Sequence, residues 1–209
     1  MKSIIIVGAG GFGREAYYLI KEINKVNPTW NIKGFIDDNL DALNGIKCDC
    51  PIIGKISEWI PSSDEVFAMG IASPKTKEKL SKVLIERGAV FVTLIHPMAR
   101  INEDAIIGDG CVITGTSSVG ACTRIGNFVH MASSMIGQDA EIGDFSTTTA
   151  FVNLTNAIIG KRVFVGSHAV VLNKLKVGDD AVIGAGSVVL RNVKAGTAVF
   201  GCPAKKIDI

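Results

Sequence analysis

Six residues near the amino terminus, Gly8-Ala9-Gly10-Gly11-Phe12-Gly13, have the types and spacing of a phosphate-binding turn. Glycines at Gly8, Gly10, Gly11 and Gly13 let backbone approach a phosphate, and a helix opening there adds N–H donors and partial positive charge. Further on, Asp37-Asp38 offers carboxylates to a ribose hydroxyl or a base N–H. Ser73 completes the candidate substrate-side set. The blander reading of the glycines is a βα turn that only packs tightly. A full dinucleotide site needs two mononucleotide halves, and this segment is short, so a single nucleotide moiety fits better. Cys48-x-Cys50 has no second ligand pair after it, so it reads as a loop coincidence, and no metal is expected.

These groups need elements to hold them. Lys2 to Gly8 is an apolar β-run, and a helical stretch follows from Arg14 to Lys25. Strand, glycine turn and helix form the context that gives the motif meaning. Ile32–Ile36 and Val66–Met69 read as strands, Ser73-Pro74 as the cap and first position of a helix to about Arg87, and Val90–Ile95 as a closing strand. A small Rossmann-like α/β domain is expected over 1–95.

From Ile101 a six-residue beat takes over. Aliphatics stand at Ile101, Ile107, Ile113, Val119, Ile125 and Met131. After a slip of one residue they return at Ile136 and Ile142, with Thr148 weaker, then Leu154. After a second slip they run from Ile159 to Val189. Small residues such as Cys111, Thr123, Ala140 and Ala181 stand two positions before each aliphatic. Six matches neither the helical period nor the strand period. It matches a chain that turns a corner every six residues and closes a coil every three sides. A left-handed parallel β-helix of about five turns is expected over 96–209, with the glycines after the aliphatics taking corner conformations that other residues resist. A β-sandwich with many glycine turns would space its signals more loosely.

Composition narrows the partners. The chain has 209 residues, is 47% hydrophobic and carries a formal charge of +2. No Lys/Arg-rich run suggests nucleic acid, and no apolar stretch suits membrane insertion. Five scattered cysteines without an export signal read as free thiols of a cytoplasmic protein.

Taken together, GAGGFGRE, GFIDD, Ile95-His96-Pro97, the hexapeptides with VIGAGSVV, and Gly201-Cys202-Pro203-Ala204 resemble the bacterial hexapeptide-repeat sugar acyltransferases. That group includes nucleotide-linked amino-sugar N-acetyltransferases of lipopolysaccharide or capsule assembly and sialic acid O-acetyltransferase-like proteins. The resemblance implies a homotrimer with acetyl-CoA in the groove between adjacent β-helices and a nucleotide-linked sugar on the N-terminal domain. It places the CoA arm along Gly143, Thr147, Gly160, Gly166, Ser167, Gly184 and Ala185.

The chain departs from that family where the chemistry is done. The family's general base is a histidine in a His-Asp-Cys-x-Ile-Gly stretch, and the matching stretch here begins Gln138-Asp139. A carboxamide accepts no proton near pH 7, and a positioned base contributes about 10²–10⁴-fold. The family's second histidine is Thr147. His96 reads as structural, and His168 as a corner residue solvated or touching CoA. His130 precedes inward Met131 as Thr147 precedes Thr148, so the two should lie side by side on an outer face. His130 is therefore a candidate surrogate base, beside Asp139 and Glu141; a trimer-contact histidine is the alternative. Two functions remain open: an acyltransferase, with N-acylation the easier reaction, or a non-catalytic nucleotide-sugar-binding relative that has lost its base.

Overall fold

Ile4-Ile5-Ile6-Val7 is a run of β-branched residues with none of its surface exposed, as a strand buried on both faces of a parallel sheet requires. It lies within β1 (Lys2–Val7). The computed structural model describes residues 1–208; Ile209, the end of the expected C-terminal segment, lies outside the described residues. After β1 come α1 (Gly11–Val26), β2 (Trp30–Ile36), β3 (Ile52–Gly54), β4 (Glu65–Met69) and α2 (Pro74–Glu86). The sheet order is β3-β2-β1-β4, parallel throughout. The short β3 carries no sequence signal of its own.

The strand expected over Val90–Ile95 is divided between two sheets. Phe91 bridges Phe67 on β4, whereas Leu94–Ile95 is β5, pairing with Val112 and Ile113. With β6 (Arg100–Ile101) and β7 (Ile106–Ile107), β5 forms the first coil of a parallel β-helix. Later coils extend three sheets, here face A from β5, face B from β6 and face C from β7. The face A register advances 18 residues at a time from Leu94 to Val112 to His130. It then advances by 17 to Thr147 and to Phe164, and by 18 again to Val182. The short steps come from tight corners. Ser133 and Asn156 take positive φ (46° and 47°) two residues after an inward aliphatic, where Phe128 and Asp139 (55° and 57°) take it three residues after.

The corner glycines work differently from the sequence expectation. Left-handed backbone falls mostly on non-glycine residues such as Cys122, Asp139, Arg162 and Asp180. The glycines after the aliphatics are needed for closeness. A Cβ on Gly143 would stand 2.6 Å from the Gly160 carbonyl carbon, and one on Gly166 would stand 2.5 Å from the Ala185 nitrogen. Each corner glycine lets the next coil stack at strand spacing. Inside, the small positions Cys111, Thr123, Ser134 and Ala140 are fully buried. Thr148, the weak beat, satisfies its hydroxyl against Ser134 at 2.9 Å.

The α/β unit packs on the outer side of face A. Leu94 and Val112 join the α1 core. Phe128 is covered within its own chain by Phe91 and Phe145, at ring distances of 5.0 and 5.3 Å. Met135 and Phe151, by contrast, are exposed.

Gly166→Ala should therefore destabilise the fold by about 1–3 kcal/mol through overpacking. Gly10→Ala should stay within about 0.5 kcal/mol, because Gly10 has φ −66° and nothing within 4 Å of an added Cβ. Thermal melts of the two variants check the contrast.

Candidate functional site

The glycine turn opens directly into α1. Gly10 is the cap residue without a side-chain bond, and no acidic residue stands in the first turn. The unpaired N–H groups of that end are left electropositive. Gly13 packs so closely that an added Cβ would strike the Gly8 carbonyl oxygen, whereas Gly10 and Gly11 face open space. The motif thus divides its labour: Gly13 seats the helix on the strand, and Gly10 and Gly11 leave room for a ligand. Asp37 and Asp38 edge the resulting cleft of about 380 Å³, with Thr76, Ile71 and Leu80 from the α2 side. Asp37 accepts from the Ala9 and Asn39 amides at 2.8 and 2.9 Å, so it also braces the turn. Asp38 accepts from the Ser57 amide at 2.9 Å, a bond that holds its carboxyl below the usual range. Ser73 is exposed and meets Thr76 at 2.9 Å.

A larger cavity of about 650 Å³ adjoins the cleft and shares Gly11 and Phe12 with it. Arg14, Glu15 and Tyr18 of α1 form one wall, and Thr114, Ala132, Ser133, Thr149, Ala150 and Ser167 of the β-helix form the other. The second wall is the edge between faces A and B, where Gly166, Gly184 and Ala185 also lie. His168 stacks on Phe151 at the same edge, at 5.0 Å. Gly143 and Gly160 lie on the edge between faces C and A. Gln138, Asp139 and the adjoining Glu141, all exposed, lie at the edge between B and C. Within this chain, then, the candidate residues occupy three different edges.

His130 and Thr147 do pair side by side, but the outer side of face A is interior here. His130 is 1% exposed. Its Nε2–H donates to the Met69 carbonyl at 2.7 Å, its ring stacks on Phe12 at 5.4 Å, and its Nδ1 has no hydrogen-bond partner. Burial, and then the nearby Lys77 charge, push its pKa down to about 3. A buried imidazole with so little proton affinity cannot serve as the surrogate base. Thr147 is likewise withdrawn from any CoA groove. It donates to the Ala72 carbonyl at 2.6 Å and accepts from Lys77 Nζ at 2.8 Å. His96 keeps a structural task, accepting the Met98 amide on Nδ1 at 3.0 Å.

Lys77 was not singled out by the sequence reading. It is fully buried and also donates to the Ser146 carbonyl at 2.8 Å. The signal was its place with Ser81 and Leu84 on the inward stripe of α2. Phe12, Glu15 and Tyr18 were missed as well, although a spacing of three puts them on one side of α1.

Residues 3–84 match the PglD N-terminal domain, and residues 156–191 match the bacterial transferase hexapeptide (six repeats). GDP-perosamine N-acetyltransferase of Escherichia coli O157:H7 is 28% identical over 97% of this chain and 95% of its own length. WeeI from Acinetobacter baumannii AYE is 27% identical, with a TM-score of 0.87 over 99% of this chain and 100% of that one. PerB from Caulobacter crescentus, solved in complex with CoA and GDP-perosamine, shares the fold at 20% identity, with a TM-score of 0.88 over 100% and 98% of the two chains.

Burial pushes the Lys77 pKa down from 10.5 to about 7. Between those values the unfolded chain binds more protons than the native one, so the penalty is full below about pH 7 and fades as pH rises. The stability difference between wild type and Lys77→Met should therefore shift in favour of wild type from pH 7 to 10, by up to about 1.4 kcal/mol per pH unit. Denaturant titrations across that range check the slope. A flat difference would mean that Lys77 is not held neutral.

Proposed function

We propose that this chain, a homologue of the hexapeptide-repeat sugar acyltransferases in sequence and fold, transfers the acetyl group of acetyl-CoA to the amine of a nucleotide-linked sugar in surface-glycan assembly. The observation that carries this reading is adjacency. The glycine cleft, suited to a diphosphate, shares Gly11 and Phe12 with the cavity that reaches the A/B edge at Ser167. A nucleotide on the cleft would extend its sugar toward that edge. The amides at the start of α1 would hold the phosphates, and Asp38, which lines the same cleft, would accept from the ribose.

The scatter of candidate residues over three edges supports a homotrimer. Packing three prisms about one axis brings unlike edges together, so the Gln138 edge of one protomer can complete the A/B edge of another. There the Gln138 amide would donate to the thioester oxygen as negative charge develops on it. An amine needs less help from a base than a hydroxyl does, because part of it is already unprotonated near neutral pH. The withdrawal of Thr147 and His130 into the domain seam favours one second reading, a nucleotide-sugar-binding protein without turnover.

Release of free CoA from acetyl-CoA, with UDP-, GDP-, TDP- and CMP-linked amino sugars in turn, decides between them. Release with one of these is expected. Nucleotide-sugar binding without release with any of them would establish the binding protein instead. A trimer is expected by light scattering at micromolar concentration, and a monomer would remove the shared edge.

Gly10→Val should lower nucleotide affinity by at least about tenfold in calorimetric titration, a loss of about 1.4 kcal/mol, while leaving the melting temperature nearly unchanged. Unchanged affinity would move the nucleotide elsewhere.

A further inference from the structure

Among the residues lining the large cavity, Glu15 is the only carboxylate and Arg14 the only cation. Arg14 turns Nη1 back to the Ala9 carbonyl at 3.2 Å. Glu15 takes part in none of the ion pairs among the described residues. An exposed, uncommitted carboxylate therefore faces a space whose other polar side chains include the hydroxyls of Thr114, Ser133, Thr149 and Ser167. Glu15 also borders a void of about 10 Å³ beside Phe12 and His130, roughly the room of one water molecule. The unpaired Nδ1 belongs to that same His130. With Nε2–H committed to Met69, Nδ1 can only accept. The α1 wall of the cavity thus carries one unspent hydrogen-bond acceptor, the Glu15 carboxylate, whereas the unpaired His130 Nδ1 is buried and lines no part of the large cavity. A primary ammonium, with three N–H donors and a positive charge, complements such a wall better than a hydroxyl with one donor.

We propose that Glu15 holds the amine of the acyl acceptor and receives its proton, the task for which position 138 has only a carboxamide. This rests on the acyltransferase reading above. The amine binds against the carboxylate. Bound as the ammonium, it first gives one proton to solvent, and the free amine attacks the thioester carbonyl, forming the C–N bond. The surplus N–H proton passes to Glu15, the C–S bond breaks, and the departing thiolate takes that proton from Glu15. The products are the amide and CoA thiol, and the carboxylate is restored. Since Glu15 is on α1 beside the nucleotide cradle, acceptor binding and proton removal share one element. A single turn of helix separates the residues that hold the phosphates from the one that takes the proton.

The test uses the full chain with saturating acetyl-CoA and the amino sugar that the panel selects. Glu15→Gln keeps the shape and an acceptor oxygen but cannot take a proton near neutral pH. Its kcat should fall by about 10²–10⁴-fold, with KM changed less. Affinity for the nucleoside diphosphate alone and the melting temperature should match wild type. Glu15→Asp should recover part of kcat. Loss of kcat together with diphosphate affinity and melting temperature would make Glu15 structural and overturn the proposal. A Glu15→Gln kcat within about threefold of an active wild type would overturn the Glu15 role alone. A wild type that turns over no amino sugar would overturn the acyltransferase reading and the role of Glu15 with it.

Discussion

The rest of the molecule depends on coils lying one strand spacing apart. At the corners this brings backbone against backbone, and Gly143 and Gly166 exist because nothing larger fits between one coil and the next. The same closeness limits the interior to one large and one small side chain per side, as in the buried pairs Cys111 with Ile113 and Ala140 with Ile142. It also allows a corner to lose a residue. Ser133 and Asn156 turn the chain one position early, and the ladders close again without a break in the hydrophobic stack.

Because the interior of the coil is full, any chemistry has to be built on its outside, and one of the three outer sides is spent on holding the α/β unit. Lys77 reaches from α2 to Ser146 and Thr147, His130 from face A to the Met69 carbonyl, and Arg162 from an edge to Glu78 on α2 at 3.6 Å. Polar groups in this seam are matched almost one for one, as burial demands, with His130 Nδ1 left over. Joining the two units firmly places the glycine cleft beside the A/B edge. The same join takes His130 and Thr147 out of reach of any substrate.

Much of this was legible in the sequence. The six-residue beat has few structural solutions, so even its slips at Met131 and Leu154 located the short corners. The glycine turn was legible because strand, turn and helix are contiguous. What could not be read was which outer side would be covered. His130 was correctly placed outward beside Thr147, yet the same pattern is compatible with solvent, another subunit or a neighbouring domain. Side-chain periodicity records which way a residue points along its own strand and nothing about what arrives there from 60 or so positions away. Lys77 was hidden for a related reason. A lysine on a helix normally reads as solvated surface, and only the carbonyl and hydroxyl waiting in the seam make its burial tolerable. The role of the corner glycines was misjudged because φ is a property of one residue, whereas the crowding at Gly143 comes from residues a full coil later.

Face A ends in a reversal. Ala198–Phe200 continues the parallel ladder, but Lys205–Ile207 then pairs with it antiparallel, Phe200 opposite Lys205 and Val199 opposite Lys206. A stack of identical parallel rungs is a template that another chain could extend indefinitely, as fibrils do. Here the last rung on that side runs the wrong way for the repeat and carries two lysines, so a further coil would meet mismatched polarity and like charge. On face A the repeat that builds the molecule is thereby capped against a further parallel rung.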